Sequence, residues 1–252
     1  MKKIGEGLQY NVYDLGNSRV LKKSEPKQVL EEKIKEAVLT FDDGPSEMFE
    51  SRLNYLIKNN YKAIFFCTGE NLEKKKYEEV LIKAIKKGII IGNHTYSHPN
   101  LSFTGYSRIK EEILKTDKII EYLYSKAKIK RKIKLIRFPF FCSGGINFFR
   151  IEKLLKKLGY TNPYSTKRFF PRVLAVDGTY HFIHRIIRNK YEVYCNIDTK
   201  DWDLKNNLDN LVPLLDKVKN RDIICFHDHE DNFELDKKII EYLKSRDFLF
   251  TI

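Results

Sequence analysis

Short apolar runs alternate with amphipathic segments along most of this chain, and that alternation narrows the fold more than any single residue does. Glu36 to Phe41, Lys62 to Cys67, Ile89 to Asn93, Ile133 to Arg137, Glu192 to Asp198, Asp222 to Phe226 and Phe248 to Ile252 each read as strands. Between them, Ser46 to Asn59, Tyr77 to Lys87, Ser107 to Tyr124, Asn147 to Leu158, Leu208 to Val218 and Leu235 to Lys244 read as helices, with Gly159 closing the fourth. Repeated strand-then-helix units imply a parallel sheet, open or closed into a barrel. Such α/β folds gather functional side chains at C-terminal strand ends, and the unusual polar groups of this chain fall there.

Two of those groups stand out. Asp42 and Asp43 end the first strand, which Gly44-Pro45 stops, and His94 and His98 follow the strand that ends at Asn93. In a helical turn, that spacing would put both imidazoles on one face. Two histidines and one carboxylate leave coordination positions open for water and substrate, as catalytic zinc sites require. A pair of histidines four apart arises readily by chance in a chain with six. Its coincidence with two aspartates at the same sheet edge makes it informative. His181 and His184 form another spaced pair, but no carboxylate-bearing strand end adjoins them, and they read as ordinary helix residues.

At 252 residues and 42% hydrophobic content, the chain can bury one large core, so one main domain is expected. No apolar stretch follows Met1-Lys2-Lys3 and none is long enough to span a bilayer, so there is no transmembrane segment and a soluble, cytoplasmic chain is the expectation. Cys67, Cys142, Cys195 and Cys225 lack C-x-x-C spacing, and reduced, mostly buried thiols are expected. The formal charge of +13 comes from 47 basic and 34 acidic residues, mostly lysines interspersed with glutamates on helix faces. Only Lys126 to Lys134 is dense enough to suggest weak association with an anionic polymer. No zinc-finger spacing, aromatic RNA-binding signature or basic heptad array points to a specific nucleic acid.

Thr40-Phe41-Asp42-Asp43-Gly44-Pro45 followed by His94-Thr95-Tyr96-Ser97-His98 resembles the first two motifs of the polysaccharide deacetylases, carbohydrate esterase family 4. Arg137-Phe138-Pro139-Phe140 is similar to the third, Asp198-Thr199-Lys200-Asp201-Trp202 to the fourth and Ile224-Cys225-Phe226-His227-Asp228 to the fifth. The resemblance implies a distorted (β/α) barrel of about seven strands over residues 36–252 and a hydrolase that removes N-acetyl groups from an amino-sugar polymer or oligomer. It further implies that Asp43, His94 and His98 hold a divalent metal, most commonly Zn2+ with Co2+ as another candidate, and that Asp42 is the general base with Arg137 as its partner. His227 would be the acid, supported by Asp201. The Phe140 N–H, next to Pro139, would serve the oxyanion, and Trp202 would wall an acetyl pocket. Plain readings stand beside these: Arg137 as a surface charge, Trp202 as core, Asp201 as a helix cap.

Two positions depart from the family pattern. Phe140 stands where the third motif usually has tyrosine, and Cys225 stands where the fifth usually has leucine, which would leave a smaller wall opposite Trp202 and admit a larger acyl group. Residues 160–191 read as an insertion containing Pro163, Phe169-Phe170 and Pro171. Residues 1–35 read as a β-hairpin extension: Ile4-Gly5-Glu6-Gly7, Val12-Tyr13 and Val20-Leu21-Lys22 resemble a protein-kinase glycine loop and its following lysine, but Tyr10 replaces the third glycine and no H-R-D or D-F-G follows. The amino-sugar deacetylase is the leading expectation. A hydrolase of a non-sugar amide or imide, or a catalytically silent glycan-binding or basic interaction module, are its alternatives.

Overall fold

The structure is a computed structural model that describes residues 34–164, 189–203 and 205–252, together with the backbone of three short strands between residues 2 and 23. His181, His184, Phe169, Phe170 and Pro171 lie outside the described residues, as does most of the 160–191 segment. Contacts divide the chain into two units, Met1–Lys33 and Ile34–Ile252. In the first, β1 (Lys2–Glu6), β2 (Tyr10–Asp14) and β3 (Arg19–Lys23) form an antiparallel sheet in that order, so a third strand extends the expected hairpin.

The second unit is built on β4 (Lys35–Asp42), whose apolar residues are buried on both faces, as a central parallel strand demands. It pairs in parallel with β5 (Ala63–Cys67) on one side and β8 (Asp222–His227) on the other. Beyond β5 lies β6 (Ile90–Asn93), beyond β8 lies β7 (Ile197–Asp198), and β9 (Phe248–Phe250) pairs with the start of β4. Single bridges close the circle: Asn93 pairs with Ile136, Ile136 with Glu192, and Asn196 N–H donates to Ile223 O at 2.8 Å. The result is a distorted parallel barrel.

Around it run α1 (Phe49–Lys58), the short α2 (Gly69–Leu72), α3 (Glu78–Lys86), α4 (Tyr106–Ala127), α5 (Phe148–Leu158), α6 (Leu208–Leu215) and α7 (Phe233–Lys244). Gly159 ends α5 at φ 77°, a left-handed cap that glycine takes without steric cost. The main apolar cluster joins Leu39, Phe41 and Phe65 of the sheet to Leu53 and Leu56 of α1 and Ile239 and Leu243 of α7.

Two expected strands are irregular. Ile133 to Arg137 contributes only the bridges at Lys134 and Ile136, and in Glu192 to Asp198 only the last two residues form a strand. In the latter, the Asn196 side chain accepts from Ile223 N–H at 2.8 Å, taking a ladder rung that a main-chain carbonyl would otherwise fill. In the basic run Lys126 to Lys134, Arg131 is buried against Asp117 at 2.7 Å and Lys134 lies 2.9 Å from Asp117 and 3.0 Å from Glu121, so acids offset two of its cations. Among the described residues, no helix is long and apolar enough to cross a membrane. The four cysteines are free and buried.

Candidate active site

The C-terminal ends of β4, β6 and β8, with the segments after Ile136 and Asp198, surround a cavity of about 570 Å³. Asp42, Asp43, His94, His98, Phe140, Trp202 and His227 line it, as do His229, Phe138, Phe141, Asp198 and Lys200. Parallel register explains the convergence, because Asp42 sits directly opposite His227 across the β4–β8 ladder.

Asp43 leaves the strand at φ 70°, a turn into left-handed backbone that swings its carboxylate away from that of Asp42. Its Oδ1 lies 3.3 Å from His94 Nε2 and 3.1 Å from His98 Nε2, and its Oδ2 lies 3.0 Å from His229 Nε2. Burial would raise the Asp43 carboxyl, but the contacts with His229, His94 and His98 outweigh it and hold the group well below the usual carboxylate range. The His94 ring is fixed from behind, with Nδ1–H donating to Arg137 O at 2.8 Å, which leaves Nε2 facing Asp43.

These three residues fit a metal ion. Ligand atoms about 2.1 Å from a tetrahedral ion lie roughly 3.4 Å apart, close to the separations observed. Asp43 Oδ1 is buried yet receives no well-aligned hydrogen bond, as expected for an oxygen arranged to share a cation.

The helical turn expected for His94 to His98 does not form. Thr95 and His98 take φ values of 65° and 55°, and the N–H groups of Tyr96 and Ser97 both donate to Glu112 Oε2 at 2.7 Å. A buried carboxylate on α4 thus replaces the carbonyls of a helix and brings the two imidazoles together by another route.

Two tethered dyads flank this candidate metal-ligand group. Arg137 is fully buried rather than a surface charge, and its Nη1 donates to Asp42 Oδ1 and to Thr40 Oγ1, each at 2.8 Å. Across the mouth, His227 Nδ1–H donates to Asp201 Oδ1 at 2.8 Å, and Asn232 Nδ2–H donates to Asp201 Oδ2 at 2.6 Å. Asp201 is therefore engaged with an imidazole rather than capping a helix. Burial alone would lower the His227 pKa, but Asp201 overrides it and pushes the imidazole up to about 10.

Trp202 is half-exposed rather than core, its ring 6.4 Å from that of His227. Phe140 is exposed and edge-on to His98 at 4.9 Å, on a tight turn in which Phe140 and Phe141 take φ of 57° and 51°. Pro139 is buried and anchors that turn, its carbonyl accepting from Cys142 N–H, and it takes no part in the cavity wall.

Cys225 does not line the cavity that Trp202 borders. It sits two residues before His227 on β8, one pleat repeat deeper on the same face, fully buried, with Sγ 3.5 Å from both Arg137 Nη1 and Asp42 Oδ2. Its small side chain packs against the Arg137–Asp42 pair.

Sequence reading missed His229, whose signal was its spacing two residues beyond His227 past a strand end. It also missed Glu112 and the knot below the mouth, in which Arg52 is ion-paired to Asp228 and contacts Asp236 Oδ2 at 2.7 Å. Phe49, Arg52, Leu53 and Leu56 form a helical stripe, so the placing of Arg52 in an otherwise apolar face was legible.

The polysaccharide deacetylase family profile matches residues 30–163, slightly more than half of the chain. The chain belongs to the polysaccharide deacetylase family. Similar proteins include a peptidoglycan-N-acetylglucosamine deacetylase of Bacillus cereus, 41% identical over 106 residues that cover 42% of this chain and 36% of the relative. A chitin deacetylase of Arthroderma benhamiae is 37% identical over 83 residues, 32% of this chain and 22% of the relative. The deacetylase-family chain thus spans less than half the length of these curated relatives. A family 4 carbohydrate esterase from Streptomyces lividans, solved in complex with acetate, superposes with a TM-score of 0.62 at 22% identity, covering 86% of this chain and 92% of that one, and shares its fold.

Proposed function

We propose that this chain is a metal-dependent hydrolase that removes N-acetyl groups from an amino-sugar polymer or oligomer. The observation that carries the reading is the placing of a tethered carboxylate, Asp42–Arg137, and a tethered imidazole, His227–Asp201, on one cavity beside the Asp43, His94 and His98 group. The relatives named as deacetylases of peptidoglycan and chitin supply the substrate class.

In this reading Asp43, His94 and His98 hold a divalent ion, zinc being favoured by a two-imidazole, one-carboxylate donor set. Such an ion supplies Lewis acidity toward a carbonyl oxygen and a bound water. Asp42 takes the proton of the attacking water, and Arg137 fixes the carboxylate that receives it. The N–H of Phe140 stabilises the oxyanion. His227 Nε2 delivers a proton to the departing sugar amine, and Asp201, bound to Nδ1, keeps the ring oriented and charged for that transfer. Trp202 provides an apolar wall for the acetyl methyl.

The test is acetate release from N-acetylglucosamine oligomers by the metal-loaded protein. Release that is abolished by EDTA and falls at least roughly 100-fold in Asp42→Asn and in His227→Ala is the expected result. Absence of release from a folded, metal-loaded protein would sink this substrate class.

A further inference from the structure

His229 is placed to act on the candidate metal centre without belonging to the three-residue ligand group. Its Nε2 meets Asp43 Oδ2 at 3.0 Å, on the side of the carboxylate opposite His94 and His98, which both face Oδ1. The position is built from below. His229 N–H donates to His227 O at 3.0 Å, and its carbonyl accepts from Arg52 Nη2 at 3.3 Å. Between the two histidines, Asp228 turns the other way, its Oδ2 accepting from Ser46 N–H at 3.0 Å and its Oδ1 held by Arg52. Consecutive side chains after β8 therefore point alternately to the mouth and to the knot. The anchored segment that carries His227 also delivers the His229 ring to Asp43.

We propose that His229 is a positioning residue that makes Asp43 a one-oxygen ligand. A carboxylate free at both oxygens can bind a cation through either or both. With Oδ2 accepting the Nε2–H of His229, only Oδ1 is presented to the side where His94 and His98 converge. Coordination positions that a two-oxygen carboxylate would occupy stay open for water and substrate. The same hydrogen bond orients the ligand, a type of contact whose loss weakens metal binding by roughly 10–100-fold. The inference rests on the reading of Asp43, His94 and His98 as metal ligands, but not on the identity of the substrate.

The experiment measures Zn2+ affinity by chelator competition and the visible ligand-field spectrum of the Co2+-loaded full chain. It uses wild type, His229→Leu, His229→Gln and, as a control on the centre itself, Asp43→Ala. The expected result is a Kd for Zn2+ raised roughly 10–100-fold in His229→Leu, with a weakened Co2+ band that marks a higher coordination number. In His229→Gln the side-chain amide still offers an N–H, so both readouts return toward wild type. Wild-type affinity and spectrum in His229→Leu would overturn the proposal. So would a His229→Gln variant as impaired as His229→Leu, because the ring nitrogen rather than a donated hydrogen bond would then be required. If Asp43→Ala binds metal as wild type does, the metal-centre reading itself fails, a result distinguishable from failure of His229 alone.

Discussion

His227 keeps its proton chiefly through Asp201, with Asp198 and Asp42 adding to the effect. The Asp201 carboxylate overcomes the burial that would otherwise favour a neutral ring, and the imidazole pKa rises to about 10. A raised histidine pKa contributes stability that is fully present below about 6.5 and is lost as pH rises through about 10. If His227 is the acid of the proposed reaction, activity carries the same sign and is expected to fall as pH passes the His227 pKa, because an acid must be protonated to act. Asp201→Asn removes the largest of the charges that raise it. The falling limb of the kcat profile is then expected to move acidward, with roughly 30-fold less protonated His227 at pH 8 if its pKa returns to about 6.5. A kcat–pH profile of the variant that keeps the wild-type alkaline limb would show that Asp201 does not set this proton.

At the scale of elements, the turns that carry the site are held by buried carboxylates. Glu112 of α4 organises the segment from Tyr96 to Ser97, and Glu192 accepts from Phe138 N–H at 3.1 Å and Ser143 Oγ at 2.8 Å, clamping the turn that bears Phe140. Burial pushes Glu192 up to about 7 even though Tyr194, Ser143 and the Phe138 N–H favour its carboxylate. An unfolded glutamate ionises near 4.5, so this group favours the folded state most below that pH, and the advantage is lost as pH rises through about 7. The loss amounts to about 3 kcal/mol. Urea unfolding of Glu192→Gln between pH 4.5 and pH 8 is expected to show a decline smaller by about that amount.

The Arg52 knot ties α1 to the β8 end and to α7. Arg52→Met would leave the Asp228 and Asp236 carboxylates buried without their cation, at an expected cost of about 3–5 kcal/mol in the same assay. A cost below about 1 kcal/mol would mean that the two carboxylates take up protons or water freely.

For the whole molecule, the apolar clusters that join sheet to helices among the described residues lie within Ile34–Ile252. Closure of the sheet through single bridges at Ile136, and through the short β7–β8 pairing beside the Asn196–Ile223 hydrogen bonds, leaves the barrel irregular on the side that carries Phe140 and Glu192, and regular on the side of β4, β5 and β8.

The main strand positions and the sheet edge that carries the candidate site were legible in one dimension because they depend on local physics. Apolar runs of strand length mark β4, β5 and β8, and a Gly-Pro stop after Asp43 marks a sheet edge. Asp42, Asp43, His94 and His98 follow directly from those edges, whereas His227 entered through its resemblance to a family motif. Long-range packing decided the rest. That Arg137 is buried against Asp42, that Cys225 lies beneath the mouth rather than in its wall, and that Glu112 rather than a helical turn shapes the His94 to His98 loop all depend on which distant side chains share one dry space. So does the approach of His229 to Asp43, 186 positions apart in the chain. Periodicity can tell which residues face inward, but the partner each buried charge finds is fixed only when the strands close on one another.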